Sequence, residues 1–217
     1  MSNTGDSPPR PFAWLADEES PDLSRLMAEV CDALQTAADK AAHGFHLPVL
    51  ATYDAALERP ACRTVVLRTF DEDAMAVQCH TDVRTPKVAH LRETPAASWT
   101  FYDRDARVQL VAEGRTTVHT GDAVAEVAWD ASRLESLRCY LAPKPPGESM
   151  TARAYNLPPD LVDEVPTANE ARAGRKNFAV IRTELEVLEL LLLKHQGNLR
   201  VMFRRDADGW SQSWVAA

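Results

Sequence analysis

Apolar and polar positions change their spacing twice along the chain. Leu23, Leu26, Met27, Val30 and Leu34 recur at intervals of three and four, the mark of one buried helix face. Ser20-Pro21-Asp22 predicts the start of that helix: a cap, a first-turn proline and an acid near the positive dipole end. Gly44 predicts its stop. From Leu47 the pattern shortens to β-branched and aromatic runs over 47–52, 62–70, 74–80, 97–103 and 107–119. The acidic stretch 71–74 reads as a hairpin connection, and Pro86 to about Arg92 as a short helix. A second helical stretch is expected from about Asp122 to Tyr140, with Val124, Val127, Ala128, Leu134 and Leu137 on its inner face. Strands resume over 177–190, 198–206 and 210–216, where Trp210 and Trp214 share one face.

Two segments lack such periodicity. Residues 1–19 read as a flexible polar arm, leaving 20–217 as a single domain. Residues 143–175 hold six of the fourteen prolines, and a loop of that length is usually a lid, a partner-wrapping segment or disordered. The element order has no βαβ alternation, so it predicts a mostly β, antiparallel barrel with added helices.

Charge narrows the function classes. The formal net charge is -8, which argues against the broad basic field of a nucleic-acid or anionic-membrane surface. Any anion site is therefore local. No apolar run approaches the roughly 20 residues of a membrane span, and the first residues lack the order of a secretory signal. Cys31, Cys62, Cys79 and Cys139 show no CxxC spacing, so reduced thiols in a cytoplasm are expected, with no metal site. His43 and His46 read as structural, and HExxH, GxSxG and P-loop patterns are absent. No catalytic acid or base is nominated.

The local exception is HTDVRTPKVAHL, residues 80–91. Thr85 and Pro86 open a helix whose free N–H groups favour an anion. Arg84 and Lys87 flank that opening, and Thr81 adds a hydroxyl. Taken alone, such cations are commonly just solvated at a helix start. They oppose the dipole there, at a cost of about 0.3–1 kcal/mol each, which a bound phosphate would reverse. A second stretch, RTVVLR at 63–68, carries Arg63 and Arg68 an odd number of residues apart, hence on opposite faces of a regular strand; both also suit plain strand ends. Gln109, between Val108 and Leu110, is either a solvent-facing residue or a polar reader of a heterocycle edge.

In this order the pieces resemble the pyridoxamine 5'-phosphate oxidase-like family of FMN-binding split barrels. The match is dense over 47–115 and returns weakly over 178–217. The resemblance implies an antiparallel split β-barrel and a homodimer with FMN in the groove between chains. It implies that Arg63, Thr64, Val65, Val66 and Arg68 line the flavin and its phosphate, that His80 and Thr81 add contacts, and that Arg84 and Lys87 hold the phosphate. Gln109 would come from the partner chain. Arg200 would face a small-molecule substrate and Arg204 the flavin. Met202 stands where the vitamin enzyme has histidine, Lys194 where it has tryptophan, and Val108 and Val111 replace two arginines. Met cannot hydrogen-bond a pyridine as His does, so these departures speak for the broad FMN-binding branch. The activity implied is an FMN-dependent oxidoreductase acting in the cytoplasm. A non-catalytic flavin- or haem-binding barrel, with His80 as a ligand, is the alternative.

Overall fold

The computed structural model describes residues 11–16 and 21–217. The rest of the expected N-terminal arm, and Ser20, lie outside the described residues. Residues 11–16 form a short turn that packs inward: Phe12 and Leu15 are buried, and Glu29 accepts from the Phe12 N–H (2.7 Å) and the Trp14 indole.

Helix α1 spans Leu23–Asp39. Its cap is Asp22, which accepts from the Ser24 N–H at 2.9 Å; Pro21 precedes the cap. The helix ends at Lys40, before Gly44, and His43 then caps the next turn by accepting from the Phe45 N–H at 3.1 Å. Strands β1 (Val49–Asp54) and β2 (Arg59–Thr64) form a hairpin, and the run expected over 62–70 overlaps only the end of β2. RTVVLR is not one strand. It leaves β2 at Thr64 and runs irregularly to β3 (Thr69–Asp71), with the Val65 and Leu67 N–H groups donating to Pro48 and His46. Leu67 is buried there, so strand alternation does not place Arg63 against Arg68.

Strands β4 (Ala76–Asp82), β5 (Ala96–Asp103) and β6 (Val108–His119) follow, with α2 (Pro86–Glu93) between β4 and β5. The expected helix over 122–140 breaks into α3 (Ala123–Asp130), α4 (Leu134–Leu137) and a turn at 138–141. Its inner face is Ala125, Trp129, Leu137 and Tyr140, whereas Val127 is 71% exposed. The long loop carries α5 (Ala168–Ala171), closed by a Thr167–Glu170 capping box. Strands β7 (Phe178–Leu192), β8 (Leu199–Asp206) and β9 (Gly209–Val215) complete the chain.

Every strand pair is antiparallel, in the order β2-β1-β5-β6-β7-β4-β3, with β8 and β9 added beside β7. The sheet is an open, split barrel because β7 changes partner along its length. Phe178–Glu184 pair with β4, and Val187–Leu192 pair with β8. The β6–β7 register shifts at this changeover, between Glu113 and Gly114. A Cβ on Gly114 would lie 1.9 Å from the Glu184 carbonyl, so only glycine permits that approach.

Alternation on β7 separates two cores. Ile181 and Leu185 face the main core with α1, Trp99, Phe101 and Phe203. Phe178 and Val180 face a second cluster with Trp129, Tyr140 and Ala171. Within the main core, the Trp99 indole donates to Thr183 at 2.9 Å, and Thr183 lies 2.8 Å from Thr116, so these buried polar groups are paired. Among the described residues no helix is long and apolar enough to cross a membrane.

Candidate functional site

Strand β4 divides the expected site between its two faces. Cys79 and Thr81 point one way, Gln78, His80 and Asp82 the other.

On the Thr81 face, β4, the start of α2 and the β1–β2 hairpin enclose a cationic recess. The Lys87 ammonium donates to the Thr81 hydroxyl at 2.9 Å and reaches Thr85 at 3.4 Å. Thr85 does not cap α2 with its side chain; its hydroxyl donates to the Asp82 carbonyl at 2.8 Å. The first-turn N–H groups of α2 are left without a side-chain cap. Burial holds the Lys87 pKa below the usual lysine value; Arg63 adds to this, while Cys79 and Asp82 oppose it. The half-buried Arg63 guanidinium donates to the Leu50 carbonyl (3.1 Å) and the Thr52 hydroxyl (2.9 Å). Burial lowers its pKa too, against Cys62 and Cys79. Neither cation has a carboxylate partner among the described residues. The Cys79 thiol beside them is pushed up to about 12 by burial and is inert.

Arg84, expected beside Lys87, is engaged elsewhere. It forms a forked ion pair with Asp82 (2.7 Å), which is 6% exposed, and donates to the Ala142 carbonyl at 2.9 Å. The hydrogen bonds to Asp82 raise its pKa. Asn177 bonds the Tyr140 carbonyl with its amide and accepts from the Val83 N–H at 2.7 Å. Both ends of the 143–175 loop are thereby tied to the 82–84 turn.

On the His80 face lies a cavity of about 720 Å³. Arg68, Thr69, Gln78 and His80 line it from the sheet, with Val124 and Ala128 of α3 and Arg133 of the following turn opposite. His80 meets the Phe178 edge with ring centroids 4.9 Å apart. Burial, then the charge of Arg68, pushes the His80 pKa down to about 4, so the ring is neutral at physiological pH. The sequence pointed to Arg68 and His80 but not to Arg133 or Gln78, because α3 and β4 are far apart in the chain.

Gln109, Arg200 and Arg204 lie towards the other end of β7 from His80. His80 pairs with Val180 of β7, whereas Gln109 and Arg200 both pair with Leu191. Eleven residues of β7 separate these positions, roughly 36 Å at strand rise. Arg204 is paired with Val187 between them. Arg200 sits 3.6 Å from Glu189.

An uncapped helix start with two desolvated cations that have no carboxylate partner suits an anion such as a phosphate. Residues 27–120 match the pyridoxamine 5'-phosphate oxidase, FMN-binding domain. The match takes in fewer than half of the chain's 217 residues. It runs from within α1 to the end of β6, so Arg63, Lys87 and Gln109 lie within it and Arg200 and Arg204 beyond it. Pyridoxine/pyridoxamine 5'-phosphate oxidase 2 of Arabidopsis thaliana is 34% identical over 94 residues, 40% of this chain and 48% of the relative. The chain thus spans about half the length of the curated relative that it matches. A pyridoxamine 5'-phosphate oxidase-related, FMN-binding protein of Nostoc punctiforme has the same fold, with TM-score 0.66 and 19% identity over 92% of this chain and 99% of that one. PhzG of Burkholderia lata, solved with tetrahydrophenazine-1-carboxylic acid, gives 0.61 and 17% over 100% of this chain and 98% of that one. At such identities these two structures speak for the fold alone.

Proposed function

We propose that this protein is an FMN-binding oxidoreductase of the pyridoxamine 5'-phosphate oxidase-like family, working as a homodimer on a small-molecule substrate. The observation that carries the reading is Lys87. A half-buried ammonium held by two threonine hydroxyls, beside Arg63 and at the positive end of α2, costs stability unless an anion binds there. The flavin phosphate is the anion that the family supplies. Lys87, Arg63, Thr81 and Thr85 would hold it, and Thr64–Val66 would lie along the flavin. Bound FMN supplies hydride-transfer chemistry.

The dimer is supported by the β1–β2–β5 side, which leaves Leu47, Tyr53, Leu57 and Tyr102 exposed, apolar surface that a partner would cover. Within the reading, the cavity beside His80 and Arg68 receives the substrate, and neutral His80 offers a hydrogen bond without adding charge. The four free thiols fit a reducing compartment such as the cytoplasm.

The visible spectrum of the purified protein tests the cofactor, followed by release and identification of any chromophore. The expected result is a flavin spectrum with FMN in the extract and bleaching by a nicotinamide donor over many turnovers. A flavin that is bound but never turned over would leave a binding module. A colourless protein that also fails to take up added FMN would overturn the reading.

A further inference from the structure

Arg63 is a cation held without a counter-charge, and what lies behind it explains how. Arg63 and Thr52 project from the same face of the β1–β2 hairpin, and α2 packs across that face with His90 one turn beyond Lys87. The Thr52 oxygen accepts from Arg63 at 2.9 Å and lies 3.1 Å from His90 Nδ1. His90 Nε2 lies 3.4 Å from one oxygen of Asp54. The other Asp54 oxygen accepts from the Leu57 N–H at 3.1 Å, which fixes the carboxylate in the hairpin turn. With Nδ1 as the acceptor, arginine donates to threonine and threonine to histidine, and the other ring nitrogen is left facing the Asp54 carboxylate. Thr52 has a second acceptor in the Ala61 carbonyl, at the longer distance of 3.4 Å.

We propose that Thr52, His90 and Asp54 are positioning residues that aim the Arg63 guanidinium into the anion recess. The carboxylate is kept three contacts away from Arg63, behind Thr52 and His90. It orients the guanidinium without neutralising it, so the full charge stays available to a phosphate. A direct Asp–Arg pair, as at Arg84, would hold the side chain equally well and cancel the charge. Thr52 is 4% exposed, so it does not touch the ligand and acts through Arg63.

This inference rests on the assignment of the recess to the FMN phosphate, and the test separates the two. FMN and riboflavin, which lacks the phosphate, are titrated by flavin fluorescence against the full-length protein and its Thr52→Val, Thr52→Ser and His90→Ala variants. Loss of a charge-assisted orienting bond predicts that Thr52→Val weakens FMN about tenfold with riboflavin unchanged. Thr52→Ser, which keeps the hydroxyl, is expected within about threefold of the parent, and His90→Ala about threefold weaker for FMN alone. Equal weakening of both flavins would show a merely structural role and overturn the inference. So would a Thr52→Val variant that binds FMN like the parent. Should the parent itself show no preference for FMN over riboflavin, the phosphate assignment falls and takes the relay with it.

Discussion

Lys87 and Arg84 stand three residues apart at the mouth of one helix, yet the fold treats them oppositely. Arg84 is saturated: a forked pair to Asp82 and a loop carbonyl use its donors. Lys87 is left with hydroxyls and a second cation nearby. The difference lies in strand parity. Asp82 shares the β4 face of His80, so the carboxylate meets the chain as it turns towards the 143–175 loop, and the Thr81 face keeps none. A helix mouth therefore becomes an anion site through the partners withheld from its cations, not through the number of cations. One cation closes the loop, and the other is kept for a ligand.

The largest expected effect is on the saturated side. Arg84→Ala leaves the buried Asp82 carboxylate without its cation, holding only the N–H of residue 84, and should destabilise the ligand-free protein by about 3 kcal/mol. Proteolysis within 143–175 should accelerate, because that loop loses its tie at Ala142. Urea denaturation and limited proteolysis read both. Unchanged values would mean that the pair is ornamental and would remove half of the contrast.

Lys87→Met works in the other direction. It replaces a half-buried, unneutralised cation with an apolar chain of similar length, and should raise ligand-free stability by about 1 kcal/mol. Denaturation in the absence of flavin checks this, and a loss of stability would show that Lys87 is structural.

The smallest effect concerns His80. Its folded pKa of about 4 lies below the ordinary 6.5, so the unfolded chain binds the proton more readily. Stability from the neutral ring is present above pH 6.5 and is lost as pH falls towards 4. His80→Gln should flatten the melting temperature across the upper part of that window. An unchanged slope would mean that the ring is protonated in its cavity.

Much of the fold was legible in the chain. The three-and-four spacing from Leu23 marks α1, and alternating runs mark β4 to β9 except where strands are interrupted. RTVVLR misled because its composition suits a strand, while Leu67 must turn inwards to reach the core. Helix 122–140 misled because its apolar residues fit one stripe, although the chain breaks at 131–133 and Val127 faces outwards. The site was half legible. The cations were visible, but their roles depend on which strand face carries Asp82, a signal present two residues before Arg84. Thr52 and His90 gave no signal, since 38 residues separate them and only the packing of α2 on β1 joins them.

The most direct test is calorimetric titration of FMN into Lys87→Met and Arg84→Ala under one set of conditions. Loss of a desolvated ammonium–phosphate contact predicts at least about 30-fold weaker binding for Lys87→Met. Arg84→Ala should stay within about threefold of the parent, since its donors serve Asp82 and the loop. The reverse order, with Arg84→Ala losing FMN and Lys87→Met keeping it, would contradict the account.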